Sequence, residues 1–476
     1  MIKTTQQYFD IFGVSLPQLN LLLGEALARG GDYSDIYFEN TTYGNLTLRD
    51  GAVTSGGQHI DFGVGIRVVS NEKTGYAYSE STGMKEMTEA ARAAAAIADG
   101  AQRVAPVKIS GVKGSSDIAD RYPVSGNWRS TGAVRYLPFL EKLDAAVRSR
   151  DKRVVKVLAM LSWQVSDILM YNSFSELKYD TRPMGSVTVS VVFQQGDKVC
   201  NGGGSRSFRM GVEMLTDNLI EELSDLAVKG LDDRFAAKRP SGGRMRVVMG
   251  AGASGILLHE AMGHAFEADF ARKGQSIFTG RIGERVCKSG INILDDGTIR
   301  GNRGALNYDD EGVPGQKTYM VEDGILTSFL HDRISASHFG VMPTGNGRRE
   351  SFRYAPIPRM RATYMESGTE DPGSLIESVN KGIFVDEFSN GQVKIGEGDF
   401  TFYVKSGYLI EDGRLTMPVK DINIIGNGPK ALSDIVAVGN DLKVDESAWV
   451  CGKEQSVPVS CGIPTVLIDN LTVGGE

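Results

Sequence analysis

Two of the chain's five histidines and one glutamate fall within six residues, in His259-Glu260-Ala261-Met262-Gly263-His264. That grouping is suited to metal chemistry: two neutral imidazoles can ligate a divalent cation while the adjacent carboxylate accepts a proton. The histidines are five residues apart, so on a regular helix they diverge by roughly 140°, too far to share one ion. Joint ligation therefore predicts a distorted helix. Either an inserted residue of the π-bulge type brings the rings to one face, or the helix ends near Met262 and His264 lies on the next turn. Gly263 is the residue that best tolerates such a backbone, and Ser254 is placed to cap the helix start. Without a metal, the same residues would be two buried histidines hydrogen-bonded to neighbours.

Two histidines leave a catalytic zinc one protein ligand short. The candidates are His331, His338, Cys200, Cys287, Cys451, Cys461 and the carboxylates, Glu267 among them. Glu267, three residues past His264, is close enough to ligate or to accept a hydrogen bond from the ring. His331, in Leu330-His331-Asp332-Arg333, reads as a structural histidine. His338 could face substrate, and it is grouped with Arg348 and Arg349 as a cationic candidate for stabilising an oxyanion. Cys451 and Cys461 both lie in strand-to-turn segments, and composition does not rank one above the other.

The elements that must position these residues are legible in outline. Residues 15–29 form an amphipathic helix with Pro17 in its first turn. Strand patterns follow at Tyr33–Glu39, Tyr43–Arg49, Gly63–Val69 and Gly75–Glu80, then an Ala-rich helix over 86–99 ended by Gly100. A helix near 137–149 precedes strands at Val154–Leu161, Asp167–Tyr171 and Ser186–Phe193, and a long helical pattern runs from Val212 to Lys238. Arg239-Pro240-Ser241-Gly242-Gly243 breaks that pattern and marks a boundary. Beyond it come a strand at Met245–Met249, the His-Glu helix and then mostly strands, with hairpins around Asp323-Gly324 and Asp412-Gly413. The fold class expected is α+β: an N-terminal α/β domain (1–238) with a meandering sheet and packing helices, and a C-terminal β-rich domain (244–476) carrying one metal-binding helix.

Composition narrows the function classes. The chain has 476 residues, 41% of them hydrophobic and 23% charged, with 58 glycines, enough for two or three turn-rich globular domains. A net charge of −7 argues against nucleic acid as a partner. No basic-then-apolar leader and no apolar run of spanning length is present, so no membrane association is expected. Four cysteines without a CxxC fit reduced thiols and a cytoplasmic location. The run Gly250-Ala251-Gly252-Ala253 lacks the Lys-Ser/Thr ending of a phosphate loop, which excludes a nucleotide site of that type.

Several stretches together resemble the TldD branch of the TldD/PmbA metallopeptidases, whose older name is modulator of DNA gyrase. They are His259-Glu260-Ala261-Met262-Gly263-His264, Asp309-Asp310-Glu311-Gly312-Val313-Pro314, Leu330-His331-Asp332-Arg333, Thr344-Gly345-Asn346-Gly347-Arg348-Arg349, Val450-Cys451-Gly452-Lys453 and Asp469-Asn470-Leu471-Thr472-Val473-Gly474-Gly475. The resemblance extends to Gly31–Glu39 and is weakest between about 105 and 240. It implies a zinc peptidase with His259, His264 and Cys451 as ligands and Glu260 as catalytic base. It also implies unfolded or short peptides as substrates, with the N-terminal domain serving in dimerisation and as a chamber wall. The partner it implies is a PmbA-like paralogue in a hetero-oligomer, or a second copy in a homodimer. Two rival readings are a non-catalytic scaffold acting through partner binding and a metal-dependent amidase acting on small non-peptide amides.

Overall fold

The computed structural model describes residues 3–98, 120–130, 132–394 and 397–475. Its first half is built on one six-stranded antiparallel sheet with strands β1 (Tyr33–Arg49), β2 (Ala52–Ser70), β3 (Lys73–Ser79), β4 (Val154–Asn172), β5 (Leu177–Gln195) and β6 (Lys198–Phe208). The order is β3-β2-β1-β4-β5-β6, two three-stranded meanders joined through β1 and β4. Four segments that read as separate strands are two long ones. Tyr33–Glu39 and Tyr43–Arg49 are both β1, because Thr41 stays buried between Glu39 and Ser166 and the ladder to β4 runs unbroken. Val154–Leu161 and Asp167–Tyr171 are likewise both β4.

Among the described residues, the N-terminal helices lie on one face of this sheet. Helices Thr5–Phe12, Leu16–Ala26 and Met84–Ala95 bury Phe12, Leu19, Leu23, Met87 and Ala91 against Ile36, Phe38, Ile66 and Leu169. The Ala-rich helix thus ends earlier than its composition suggests, and Gly100 lies outside the described residues. At the other end of the sheet, Leu137–Arg150 and Asp217–Val228 cover Leu46, Leu161, Trp163 and Val189. The pattern over 212–238 is two helices, since Gly230 takes a left-handed conformation (φ 64°) and Leu231–Ala236 starts afresh.

The second half contains a closed five-stranded barrel. Strand Gly243–Met249 pairs with Lys381–Lys394 and with Val466–Gly474; Asn423–Asn427 and Asp399–Glu411 complete the ring back to Lys381–Lys394. A separate sheet includes Ile293–Asp296, Ala362–Met365 and Ser460–Ile463, and a small hairpin pairs Val450–Lys453 with Gln455–Pro458. The region is β-rich as expected, and it carries five short α-helices among the described residues. Asp323 and Asp412 adopt positive φ in tight turns, as the Asp-Gly signals predict.

The sheet's remaining face meets the second half through buried charge. Asp310 accepts from Arg182 and from the Arg349 amide (2.8 Å), while Glu311 pairs with Arg67 at 2.7 Å. The Asp309-Asp310-Glu311 stretch is therefore a joint between the halves. Glu39 lies in the same seam, accepting from Thr41 Oγ1 (2.6 Å) and the Phe352 amide (2.9 Å), and burial raises its pKa from 4.5 to about 7. Between these two values the folded chain holds a proton that the unfolded chain has released, so this group's contribution to stability falls as pH rises. The shift corresponds to roughly 3 kcal/mol across that window. Glu39→Gln is expected to flatten the pH dependence of the urea midpoint between pH 4.5 and 7 and to gain stability over the parent at pH 8. Parallel curves for parent and variant would refute the assignment.

Candidate metal centre

Helix Ile256–Ala261 carries His259 and Glu260 and buries Leu257, Leu258 and Ala261 in the core cluster that includes barrel residues Val247, Ile383 and Phe402. The helix stops at Met262 (φ −131°, ψ −39°), and His264 follows in a 3₁₀ turn, Gly263–Phe266. The distortion required by the five-residue separation is thus a helix ending, the second of the two geometries expected. A Cβ at Gly263 would meet Met360 Sδ at 2.3 Å, so a larger residue there would have to displace that side chain. Ser254 does not cap the helix: Gly255 occupies that position, and the Ser254 hydroxyl donates to the Gly250 carbonyl.

The break turns both imidazoles toward a thiol from a distant segment. The His259 and His264 ring centroids are 5.3 Å apart with planes at 78°, and Cys451 Sγ lies 3.3 Å from His264 Nε2. One donor atom from each of the three side chains falls within 4.8 Å of the others, and all three residues are buried. Neither ring nitrogen of His259 has a hydrogen-bond partner although the residue is only 1% exposed. A buried imidazole left this way costs free energy unless something else binds it. The set of two imidazoles and one thiol suits zinc, and that unsatisfied ring is the local sign that the residues fit an ion.

The electrostatics pair a thiolate with an imidazolium, so an ion would be taken up with release of the His264 proton. Burial opposes a charged Cys451, but His259 and His264 bring its pKa down to about 4. Burial likewise opposes a charged His264, while Glu267 and Cys451 raise it to about 10. Glu260 differs from the three: its side chain is 26% exposed, with Oε2 3.9 Å from His264 Nε2. The carboxylate is open to solvent at the edge of a closed donor cluster.

The remaining candidates lie elsewhere or act indirectly. Glu267 is fully buried and accepts from His264 Nδ1 at 2.8 Å. His331 is buried beside Ser335, and burial lowers its pKa to about 4; His338 is held by Glu72. Arg348 and Arg349 face carbonyls and Asp310 rather than the cluster. Cys200, Cys287 and Cys461 are free thiols outside the cluster. Residue types alone did not reveal Arg303, Arg359 and Lys453. Arg303 donates to the Trp449 carbonyl (2.8 Å), and Arg359 donates to those of Cys451 and Gln455 (both 2.7 Å), clamping the hairpin that bears Cys451. The one sequence sign was Lys453, two residues after Cys451 and so on the same strand face.

A mixed α+β chain that joins a closed barrel to a buried His-His-Cys cluster with an open carboxylate has the makings of a metal-dependent hydrolase. The chain belongs to the PmbA/TldD metallopeptidase family: residues 34–98, 133–231 and 242–475 match its first, central and C-terminal domains. The chain is 39% identical to a metalloprotease TldD homologue of Haemophilus influenzae, covering 94% of each chain. It is 31% identical to a metalloprotease of Methanocaldococcus jannaschii, over 93% of this chain and 97% of that one. Among solved structures, TldE from Thermococcus kodakarensis has the same fold (TM-score 0.73, 18% identity), over 96% of this chain and 100% of that one. No helix among the described residues is long and apolar enough to cross a membrane.

Proposed function

We propose that the chain is a zinc-dependent peptidase that hydrolyses unfolded or short peptides with little sequence preference. His259, His264 and Cys451 would hold the ion, and Glu260 would be the general base. The observation that carries this reading is the convergence of three buried donors, two of them about 190 residues from the third, beside one solvent-open carboxylate. A zinc relative from Saccharolobus solfataricus, 31% identical over 61% of this chain and 65% of that one, supports the choice of metal.

Bound zinc would lower the pKa of water and polarise a peptide carbonyl. The chain's own part is acid–base and positional. Glu260 takes the proton from the attacking water and returns it to the leaving amine. A groove of about 910 Å³ lies between edge strand β6 and the barrel, lined in part by Asn201, Arg206, Tyr408, Lys443, Asp445 and Glu446; the four proposed site residues lie outside its lining. Asp445 on its wall and Glu260 both help hold the buried Cys461 thiol protonated, after burial itself, so groove and carboxylate share a neighbour. An extended chain lying along the β6 edge would be bound through its backbone.

On this reading 244–476 is the catalytic domain, and 1–238 supplies dimer contacts and a chamber wall in the cytoplasm. The partner is a PmbA-like paralogue or a second copy; the TldE likeness fits the former. Metal analysis combined with cleavage of one protein in folded and unfolded form, and of a small amide, tests the whole. Stoichiometric zinc with cleavage of the unfolded form alone is expected. Absence of bound metal would favour a scaffold, and preference for the small amide would favour an amidase.

A further inference from the structure

His264 is held at both nitrogens. Nε2 faces Cys451 Sγ at 3.3 Å, and Nδ1 faces Glu267 Oε2 at 2.8 Å. The same Glu267 oxygen pairs with Lys453 Nζ at 3.0 Å, and Lys453 stands two residues after Cys451 on the hairpin strand Val450–Lys453. These contacts close a ring: His264 to Glu267, Glu267 to Lys453, along the strand to Cys451, and back to His264. Lys453 is 7% exposed and is fixed from other directions by Asp269 Oδ1 (2.7 Å), the Pro358 carbonyl (3.2 Å) and the Phe270 ring (4.3 Å). The other Glu267 oxygen accepts from the Met360 amide at 3.3 Å, with Arg359 Nε at 3.7 Å. His259 has no such support.

We infer that Lys453 and Glu267 are positioning residues for the proposed centre, setting the register of the Cys451 hairpin against His264. The inference rests on the metal reading above and adds how the third donor is located. Glu267 accepts the hydrogen on Nδ1, which fixes the ring with Nε2 facing Cys451, so that an ion taken up between them has only the Nε2 proton to displace. Lys453 anchors that carboxylate to the hairpin, so the sulfur cannot drift from the ring without breaking a buried ion pair. The signal was absent from residue types because it needs two segments 186 residues apart in sequence (453 against 267) to be seen in contact.

Removing Lys453 alone strands two buried carboxylates, Glu267 and Asp269, a strongly destabilising change, whereas neutralising Glu267 with it leaves only Asp269, whose carboxyl burial already pushes toward its neutral form. The informative variant is therefore the double substitution Glu267→Gln/Lys453→Met, in which the glutamine oxygen still accepts from Nδ1 while the tether is gone. The readouts are Co²⁺ affinity by chelator competition, the sulfur-to-cobalt charge-transfer band and the melting temperature. Outer partners of metal ligands typically carry ten- to a hundred-fold in affinity. The double variant is expected to melt near the parent, lose Co²⁺ affinity by roughly that factor, and show a weakened or shifted thiolate band. Lys453→Arg, which keeps the pair, is expected to retain more of both. Parent-like affinity and spectrum in a folded double variant would overturn the inference while leaving the metal reading intact. A parent chain that gives no thiolate band with Co²⁺ would instead overturn the metal reading, and this inference with it.

Discussion

Glu260→Gln is expected to lower peptide turnover by roughly 10²–10⁴-fold, the range a positioned general base contributes, while bound zinc and melting temperature stay at parental values. The geometry separates these effects. Glu260 is part-exposed at the end of a helix whose other side chains fill the core, so replacing one carboxylate oxygen by an amide nitrogen disturbs no packing. Surface changes of that kind usually move stability by less than about 0.5 kcal/mol. The donors behind it are 1–3% exposed and belong to other residues, so zinc has no reason to leave. Glutamine cannot accept the proton, and only the chemical step suffers. Turnover within a few-fold of the parent would remove Glu260 from the mechanism. Loss of zinc in this variant would mean that the carboxylate acts as a ligand rather than as a base.

Part of the fold and of the candidate site is legible in the sequence, and the limits have physical causes. The His-Glu-x₃-His run stands out because it groups scarce residue types, and its five-residue separation anticipates the break in the helix. Which break followed was not legible, because a bulge and a helix ending both satisfy the same five-residue spacing. Strand boundaries were missed where burial comes from the far side of the sheet. Asn40-Thr41-Thr42 looks like a turn, yet Thr41 is buried and hydrogen-bonded to Ser166. Strand β6 was missed for a related reason: Gly202-Gly203-Gly204 carries no apolar alternation, and the strand is held by its ladder to β5. Arg348 and Arg349 attracted a catalytic reading because cations suit oxyanions. In the fold they satisfy carbonyls and Asp310 in the seam between the halves. The barrel was not foreseen because its closure pairs Gly243–Met249 with Val466–Gly474, more than two hundred residues further on.

The cysteine that sequence composition could not rank supplies the largest expected effect on metal binding. Cys451→Ala is expected to reduce zinc content from about one per chain to near zero and to abolish turnover, because three protein ligands are the usual complement of a catalytic site. Cys461→Ala, in a strand paired with Thr363, is expected to keep its zinc. Both thiols are 1–2% exposed, so the two substitutions create similar small cavities and are matched in what they do to packing. What differs is the neighbourhood. Cys451 sits 3.3 Å from His264 Nε2, and the two imidazoles hold it as a thiolate. Burial, with smaller contributions from the charges of Asp445 and Glu260, keeps Cys461 a neutral thiol, and neutral thiols are poor ligands. Difference between the pair therefore isolates sulfur chemistry from stability. Equal zinc loss in both variants would point to a general packing fault. Full zinc retention in Cys451→Ala would leave only the two histidines and carboxylates as donors, and the proposed centre would have to be drawn again around Glu260.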